Sequence, residues 1–211
     1  ASENAREARI GFGTGAVRGI SFIRRYVMRR GGVRTNPGIG NPEALEPASP
    51  LDDSLGVVKV ERADGSLLAA WVNFAVHGDV VTGDEISADY PGVLSALLRR
   101  GHPRATVLFA NGCCGDINHI DVNGPPVQEG FAHAEMMGAA IAAEVSRVIA
   151  STPVSAEVRL SCIVEPVELR RRVVPSQALQ AARKLLADHN QFEANETAAT
   201  SEDLGSLPAE L

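Results

Sequence analysis

The residues best suited to chemistry in this sequence follow two apolar runs. His77 and Asp79 come directly after residues 67–76, and the polar loop 111–119 follows the apolar run 105–110. In open α/β sheets, ligands bind beyond the carboxyl ends of the strands, where the connecting loops converge. Neighbouring strands lie about 4.8 Å apart. We therefore expect both runs to be strands of one sheet, with His77 and Asp116 open toward the same cleft.

His77 stands at the end of its apolar run and precedes Gly78, which leaves room around the imidazole. Such a histidine suits a metal ligand whose second ring nitrogen is held by a neighbouring group. The alternative interpretation is a histidine at the end of a strand that only satisfies a backbone carbonyl. The residues alone leave both interpretations open.

The loop after the second run reads Gly-Cys-Cys-Gly-Asp-Ile-Asn-His, residues 112–119. Closely spaced glycines let the backbone approach a ligand or bend tightly, so Asp116 is either a site residue or an Asx turn that caps the loop. Cys113 or Cys114 is a possible nucleophile, although buried cysteines mostly pack as small apolar residues. His119 is expected to be an exposed loop residue. The absence of a Gly-x-Ser-x-Gly motif disfavours a serine α/β-hydrolase.

Composition excludes several classes of protein. The chain has 211 residues, 45% hydrophobic residues, three cysteines and a net charge of −6, which does not fit collagen-like, disulfide-rich or disordered chains. No apolar run approaches the roughly 18 residues of a membrane span. Eight arginines lie within residues 1–36, but they lack the interleaved aromatics and the recognition-helix pattern of nucleic-acid binding.

The coarse pattern predicts an α/β fold with a mixed sheet. Residues 9–15 are expected to be a short strand that runs into a glycine-rich turn, and residues 31–53 form a long irregular connection. Asp64-Gly65 joins two β-rich runs, 56–62 and 67–76, into a hairpin, and the second run is apolar enough to be covered on both faces. Helices are expected over residues 93–100, 130–151 and 176–189, and one or two strands over residues 154–174.

Strands that alternate with helices imply parallel strand-helix-strand units, with the helices packed on the sheet. We divide the chain into an α/β domain over residues 1–175 and a terminal segment over residues 176–211. The terminal segment begins with an exposed helix and ends in an acidic stretch without periodicity, which is expected to be flexible.

Three successive segments resemble the neutral/alkaline non-lysosomal ceramidase family in order and spacing. They are Trp-Val-Asn-Phe-Ala-Val-His-Gly at 71–78, Ser-Ala-Asp-Tyr-Pro-Gly at 87–92, and Val-Leu-Phe-Ala-Asn-Gly-Cys-Cys-Gly-Asp-Ile-Asn at 107–118. The resemblance extends over roughly residues 8–151. It implies part of the catalytic domain of a zinc-dependent amidase that cleaves the N-acyl bond of ceramide, usually outside the cytosol.

The resemblance also implies roles for single residues. His77 falls on one of the two zinc-binding histidines, and the other ligands are expected outside this chain. Arg24 falls on the family's arginine near the substrate, and Asn118 occupies the position of its nucleophilic serine. A water activated by the zinc would then be the attacking group, with Asp116 or Asp89 orienting it.

Two classes of function follow from these residues. The first is a ceramidase-like zinc hydrolase that acts on an amide or related bond of a small or lipid-like N-acyl substrate. The second is a ligand-binding or structural module that kept the fold without catalysis. A cysteine hydrolase that uses Cys113 or Cys114 is a third, weaker hypothesis. The sequence leaves the oligomeric state open.

Overall fold

The computed structural model describes residues 6–171 and 173–189. The chain divides into two compact units, with the boundary between Leu160 and Ser161. The first unit contains nine strands and two long helices. The second contains α3, which spans residues 176–189. The elements of the first unit are β1 (Ala8–Ala16), β2 (Phe22–Ile23), β3 (Arg25–Met28), β4 (Val33–Thr35), β5 (Ala44–Pro47), β6 (Ser54–Arg62), β7 (Leu67–Phe74), α1 (Asp89–Gly101), β8 (Thr106–Asn111), β9 (Ile117–Asn118) and α2 (Phe131–Ser151).

A four-stranded mixed sheet forms the centre of the first unit, in the order β1-β6-β7-β8. The pairs β1/β6 and β6/β7 are antiparallel, and β7/β8 is parallel with α1 as the crossover. The predicted mixed sheet, with its hairpin and its strand-helix-strand unit, is confirmed. At the hairpin turn, Gly65 has a φ of +81° and the Ser66 N–H donates to Asp64 Oδ1 at 2.8 Å. The Asp-Gly pair therefore supplies the turn conformation that it predicts.

The helices pack on one face of this sheet. α1 contacts β8, and α2 contacts β1 and β6. The core between them contains fully buried side chains from β6 and β7, among them Leu55, Val57, Val72 and Phe74. The two helices also pack on each other at Gly138, where an added Cβ would come within 2.6 Å of Val93 Cβ. Glycine at this crossing lets the two helix axes approach closely.

The glycine-rich stretch near the start is a strand and not the turn that we expected. Gly11, Gly13 and Gly15 alternate along β1, and a Cβ on any of them would overlap atoms at or just beyond the last two turns of α2. Alternation with period two places all three glycines on one face of the strand. These glycines therefore form a flat surface against which α2 lies, and nothing in the backbone requires a turn there.

Three other expectations are wrong. β7 is covered on one face only, since Trp71 is 53% exposed. Residues 31–53 contain β4 and β5, which flank β3 in a small three-stranded sheet. Among the described residues of the segment 154–174 there is no strand, and the segment pairs with the sheet through an isolated bridge between Ser155 and Ile10. No helix in the described residues is long and apolar enough to cross a membrane.

Candidate functional site

The two strands predicted to carry the site end side by side. β7 and β8 are parallel neighbours, with Phe74 opposite Asn111, so the loops that follow them leave the same edge of the sheet. The buried Tyr90 of α1 links these ends, because its hydroxyl lies 2.9 Å from the Val76 carbonyl oxygen and 3.2 Å from Asn111 Oδ1. Burial raises the pKa of Tyr90, with Asp89 as the next contributor. Tyr90 is therefore neutral and acts as a hydrogen-bonding group.

Asp89 is fully engaged by the backbone. Its Oδ2 accepts the N–H groups of Val80 and Val81 at 2.8 and 3.0 Å, and its Oδ1 accepts that of Tyr90 at 2.6 Å. Its φ of +53° is uncommon for a residue with a side chain. Strained backbone of this kind clusters at functional sites, where the surrounding contacts enforce it. The contacts favour a role in which Asp89 ties the loop after β7 to the start of α1, while the predicted catalytic role stays a prediction.

His77 lies against the loop that follows β8. Its Nδ1 is 2.9 Å from the Ile117 carbonyl oxygen. A carbonyl can only accept, so Nδ1 carries a proton, and in a neutral imidazole Nε2 then keeps the lone pair. This is the arrangement in which a backbone carbonyl orients a metal-binding histidine. It is also the contact that a purely structural histidine would make.

A two-stranded ribbon positions the loop after β8. β9 pairs with β2, with Phe22 opposite Asn118. Arg24 follows β2, and its Nε and Nη2 both donate to the Gly115 carbonyl oxygen at 3.1 and 2.8 Å. Asp116 Oδ2 accepts the Ser49 hydroxyl at 2.7 Å. The predicted residues Arg24, Asp116 and Asn118 therefore meet in one loop cluster, in which Arg24 and Ser49 hold the backbone and the carboxylate of that loop.

A cavity of about 300 Å³ opens beside this cluster, at the lower end of the range for small-molecule sites. Arg24 and Asn118 line it, whereas His77 and Asp116 do not. Two other lining residues lie close to predicted ones along the chain. Asp79 is two positions beyond His77, and His119 follows Asn118. The full set of polar lining side chains is Arg24, Asn36, Asp79, Thr82, Asn118, His119 and Glu129.

Asn118 is buried and occupied by local contacts. Its Nδ2 donates to Asn36 Oδ1 at 3.3 Å, and its Oδ1 accepts the Ile120 N–H at 3.1 Å. Asn36 itself adopts a φ of +49°. Nδ2 carries a second proton, so Asn118 has the chemistry to donate a hydrogen bond to a carbonyl oxygen bound in the cavity that it lines.

His119 is buried, contrary to the expectation of an exposed loop residue. It is 5% exposed, and its Nδ1 lies 3.5 Å from Asp79 Oδ1. The ring of His133, from α2, packs beside it at a centroid distance of 5.8 Å. The sequence signal for this cluster was its position: Asp79 lies two residues after His77, and His119 directly follows Asn118.

The remaining candidate groups are less constrained. Cys113 is exposed and Cys114 half-buried, and both are free thiols. Among the described residues, no three side chains of histidine, cysteine, aspartate or glutamate are grouped so that they could hold a metal ion. The chain therefore offers at most part of a metal site within those residues.

Comparison with known proteins gives a match in structure only. No family model matches the sequence, and no curated protein is significantly similar to it. A structure described as a ceramidase complexed with C2 superimposes with a TM-score of 0.50, at 19% identity over 68% of this chain and 22% of that one. The fold is that of a ceramidase segment. Neutral ceramidase from Pseudomonas aeruginosa gives a TM-score of 0.49, at 20% identity over 68% of this chain.

The structural match agrees with the resemblance seen in the sequence motifs, and at this identity it concerns the fold alone. The chain spans less than a quarter of the length of the ceramidase chains that it matches, 22% and 23%.

Proposed function

We propose that this chain is part of a metal-dependent hydrolase that cleaves an N-acyl amide or a related bond. The observation that carries the proposal is the hydrogen bond from His77 Nδ1 to the Ile117 carbonyl oxygen. It leaves Nε2 unprotonated at the end of β7, beside the loop that carries Asn118. The ceramidase-like fold supports the same interpretation, since the resemblance of the sequence motifs implies that His77 corresponds to a zinc ligand of that family.

The donor chemistry of His77 fits zinc, since a neutral imidazole is a common zinc ligand. Catalytic zinc requires three protein ligands and an open position, so the remaining ligands are proposed to lie outside this chain. Zinc, when bound, would supply polarisation of the scissile carbonyl and a more acidic water.

The chain's own residues would bind and orient the substrate. Arg24 and Asn118 line the cavity, and the second Nδ2 proton of Asn118 can donate to the carbonyl oxygen of the scissile bond. Asp116 is held by Ser49 and would orient the attacking water from the loop. We propose a small or lipid-like N-acyl substrate and, from the family resemblance, a location outside the cytoplasm.

A non-catalytic binding module is the second candidate. It is favoured by Asn118, because an amide side chain is no nucleophile at neutral pH. It is also favoured by the contacts of Asp89, whose two carboxylate oxygens accept three backbone N–H groups. A module of this kind would keep the cavity and bind an N-acyl compound without turnover.

Metal analysis separates the two candidates. We expect the 211-residue chain to bind zinc weakly, and a longer protein that contains it to hold about one zinc per chain. His77→Ala in the longer protein should abolish stoichiometric zinc and hydrolysis of short N-acyl substrates, with the circular dichroism spectrum unchanged. His102→Ala is the matched control, because His102 lies at the end of α1 and away from the cavity lining. Zinc content that is unaffected by His77→Ala contradicts the assignment.

Asn118→Ala tests catalysis by the cavity itself. If Asn118 donates to the developing oxyanion, its loss should lower kcat by about 10²–10³ with zinc retained. A binding module would show no turnover in the wild type, and the substitution would change only affinity for the N-acyl compound. A trapped acyl-enzyme in the wild type would point instead to a covalent nucleophile, with Cys113 and Cys114 the first thiols to test.

A further inference from the structure

The cavity contains a buried histidine, His119, that has no part in the proposed binding of the substrate. His119 is 5% exposed, and within the described part of the chain its Nδ1 has no hydrogen-bond partner. The nearest acid is Asp79, whose Oδ1 lies 3.5 Å from that nitrogen. A buried polar atom without a partner costs about 1–3 kcal/mol, so its retention calls for an explanation.

The position of this pair points to a role in the site. Both His119 and Asp79 line the cavity that Arg24 and Asn118 also line. His119 directly follows Asn118 along the chain, so a ligand that reaches the amide of Asn118 also comes near the imidazole. His133 packs beside His119 from α2 but does not line the cavity.

We propose that His119, with Asp79 at its Nδ1, is the general acid-base residue of this cavity. The inference rests on the proposed N-acyl hydrolysis and adds to it the group that moves the proton. A histidine oriented through Nδ1 by a carboxylate, with Nε2 as the working nitrogen, is the arrangement by which enzymes take protons from weak nucleophiles.

The proposed step moves one proton from water to the amide nitrogen. Nε2 of His119 accepts one proton from water while the water oxygen bonds to the acyl carbon. The same proton then passes from Nε2 to the amide nitrogen as the carbon-nitrogen bond breaks and the electron pair leaves with nitrogen. The products are a carboxylic acid and an amine, and His119 returns to its neutral form.

Burial keeps His119 in the basic form at neutral pH. Burial lowers the pKa of its imidazole below the usual range; Asp79 opposes this shift. His133 lowers the pKa further, and Asp89 and Glu129 raise it. These groups come from the loop after β7, from α2, from the start of α1 and from the loop before α2. The activity should therefore rise with pH, and the midpoint of this acid limb should lie below the pKa of free histidine.

Three substitutions test the proposal through the pH profile of kcat/KM on a short N-acyl substrate, in the longer protein. His119→Gln should lower kcat by about 10²–10⁴ and remove the acid limb. Asp79→Asn should move that limb to lower pH, because it removes the charge that raises the pKa of His119. His133→Gln should move it to higher pH and keep the plateau rate, because it removes the neighbour that lowers this pKa. Zinc content should stay at the wild-type value in all three.

A residue with a purely structural role would not shift the limb in opposite directions in Asp79→Asn and His133→Gln. Parallel shifts, or an unchanged limb in both variants, overturn the proposal even where His119→Gln fails to fold. Wild-type protein that cleaves no N-acyl substrate overturns the proposed function instead.

A second readout needs no turnover. Nitrogen-15 spectra of the histidines in the 211-residue chain should show His119 as the Nδ1–H tautomer in the wild type, and a loss of that preference in Asp79→Asn. An Nε2–H tautomer in the wild type would place the lone pair of Nδ1 against the Asp79 carboxylate. That result would overturn the proposed pairing.

Discussion

The two faces of the central sheet differ in burial far more than in composition. On the helix-covered face, Val57, Val72 and Phe74 are fully buried. On the opposite face, one row across all four strands is also apolar, yet three of its four members are exposed. The row consists of Phe12, Val58, Trp71 and Leu108. Apolar residues in a strand therefore show that a face of the sheet could be buried. Which face is buried depends on where the helices pack.

The largest expected loss of stability is on the helix-covered face, at Phe74. This side chain is 0% exposed and lies in the core formed with α1 and α2. Phe74→Ala should lower the free energy of unfolding by about 3–5 kcal/mol, because it removes buried surface and leaves a cavity. Urea titration followed by far-UV circular dichroism measures the change. A loss below about 1 kcal/mol would contradict the packing described for this face.

Lys59 gives the next largest loss of stability, since it is a buried charged residue on the covered face. Its Nζ donates to the carbonyl oxygens of Ile149 and Thr152 at 2.9 and 3.3 Å and lies 2.7 Å from Glu61 Oε1. Lys59→Met should cost about 1.5–3 kcal/mol, because hydrogen bonds to a charged group are lost and the carbonyls at the end of α2 stay buried. Arg18→Met, which removes an exposed ion pair, should change stability by less than about 1 kcal/mol.

The sequence predicted the elements that depend on local pattern. The Asp64-Gly65 turn fixed the hairpin, and the apolar periodicity of residues 130–151 located α2 to within one residue. Tertiary contacts decided the rest. The glycines of β1 looked like a turn because their packing against α2 leaves no local signal, and His119 looked exposed because its burial depends on α2 and on the loop before it.

The candidate site was predicted in part for the same reason. A motif or a strand end identified Arg24, Asp116 and Asn118 in the sequence, and the three residues do meet in one cluster. The proximity of Asp79 to His119 depends on where two loops fold back over the sheet. The sequence shows only that each residue lies close to a predicted site residue, Asp79 to His77 and His119 to Asn118.

Gly13 tests the packing of α2 on the sheet at the level of a single methyl group. A Cβ there would lie 2.7 Å from Val148 Cγ1 and would also overlap Thr152. Gly13→Ala should cost about 1–3 kcal/mol, toward the lower end because only one methyl is added. Gly56→Ala is the matched control on the open face, where the new Cβ would meet Phe12 at an ordinary 3.7 Å. Equal losses in the two variants would show that strand propensity, rather than contact with α2, sets the cost.

The smallest change in the free energy of unfolding is expected at Trp71, in the middle of the face opposite the helices. Its 53% exposure means that Trp71→Thr removes little buried surface, and threonine suits a strand. We expect a change of less than about 1 kcal/mol, against the 3–5 kcal/mol expected at Phe74, three residues along the same strand.

Trp71 is the single tryptophan of the chain, so its fluorescence reports directly on this face. Native protein should show emission near that of tryptophan in water and efficient quenching by acrylamide, and both should be independent of protein concentration. Blue-shifted emission that resists acrylamide would show that the face is covered. Trp71→Thr would then cost several kcal/mol, and the contrast between the two faces would disappear.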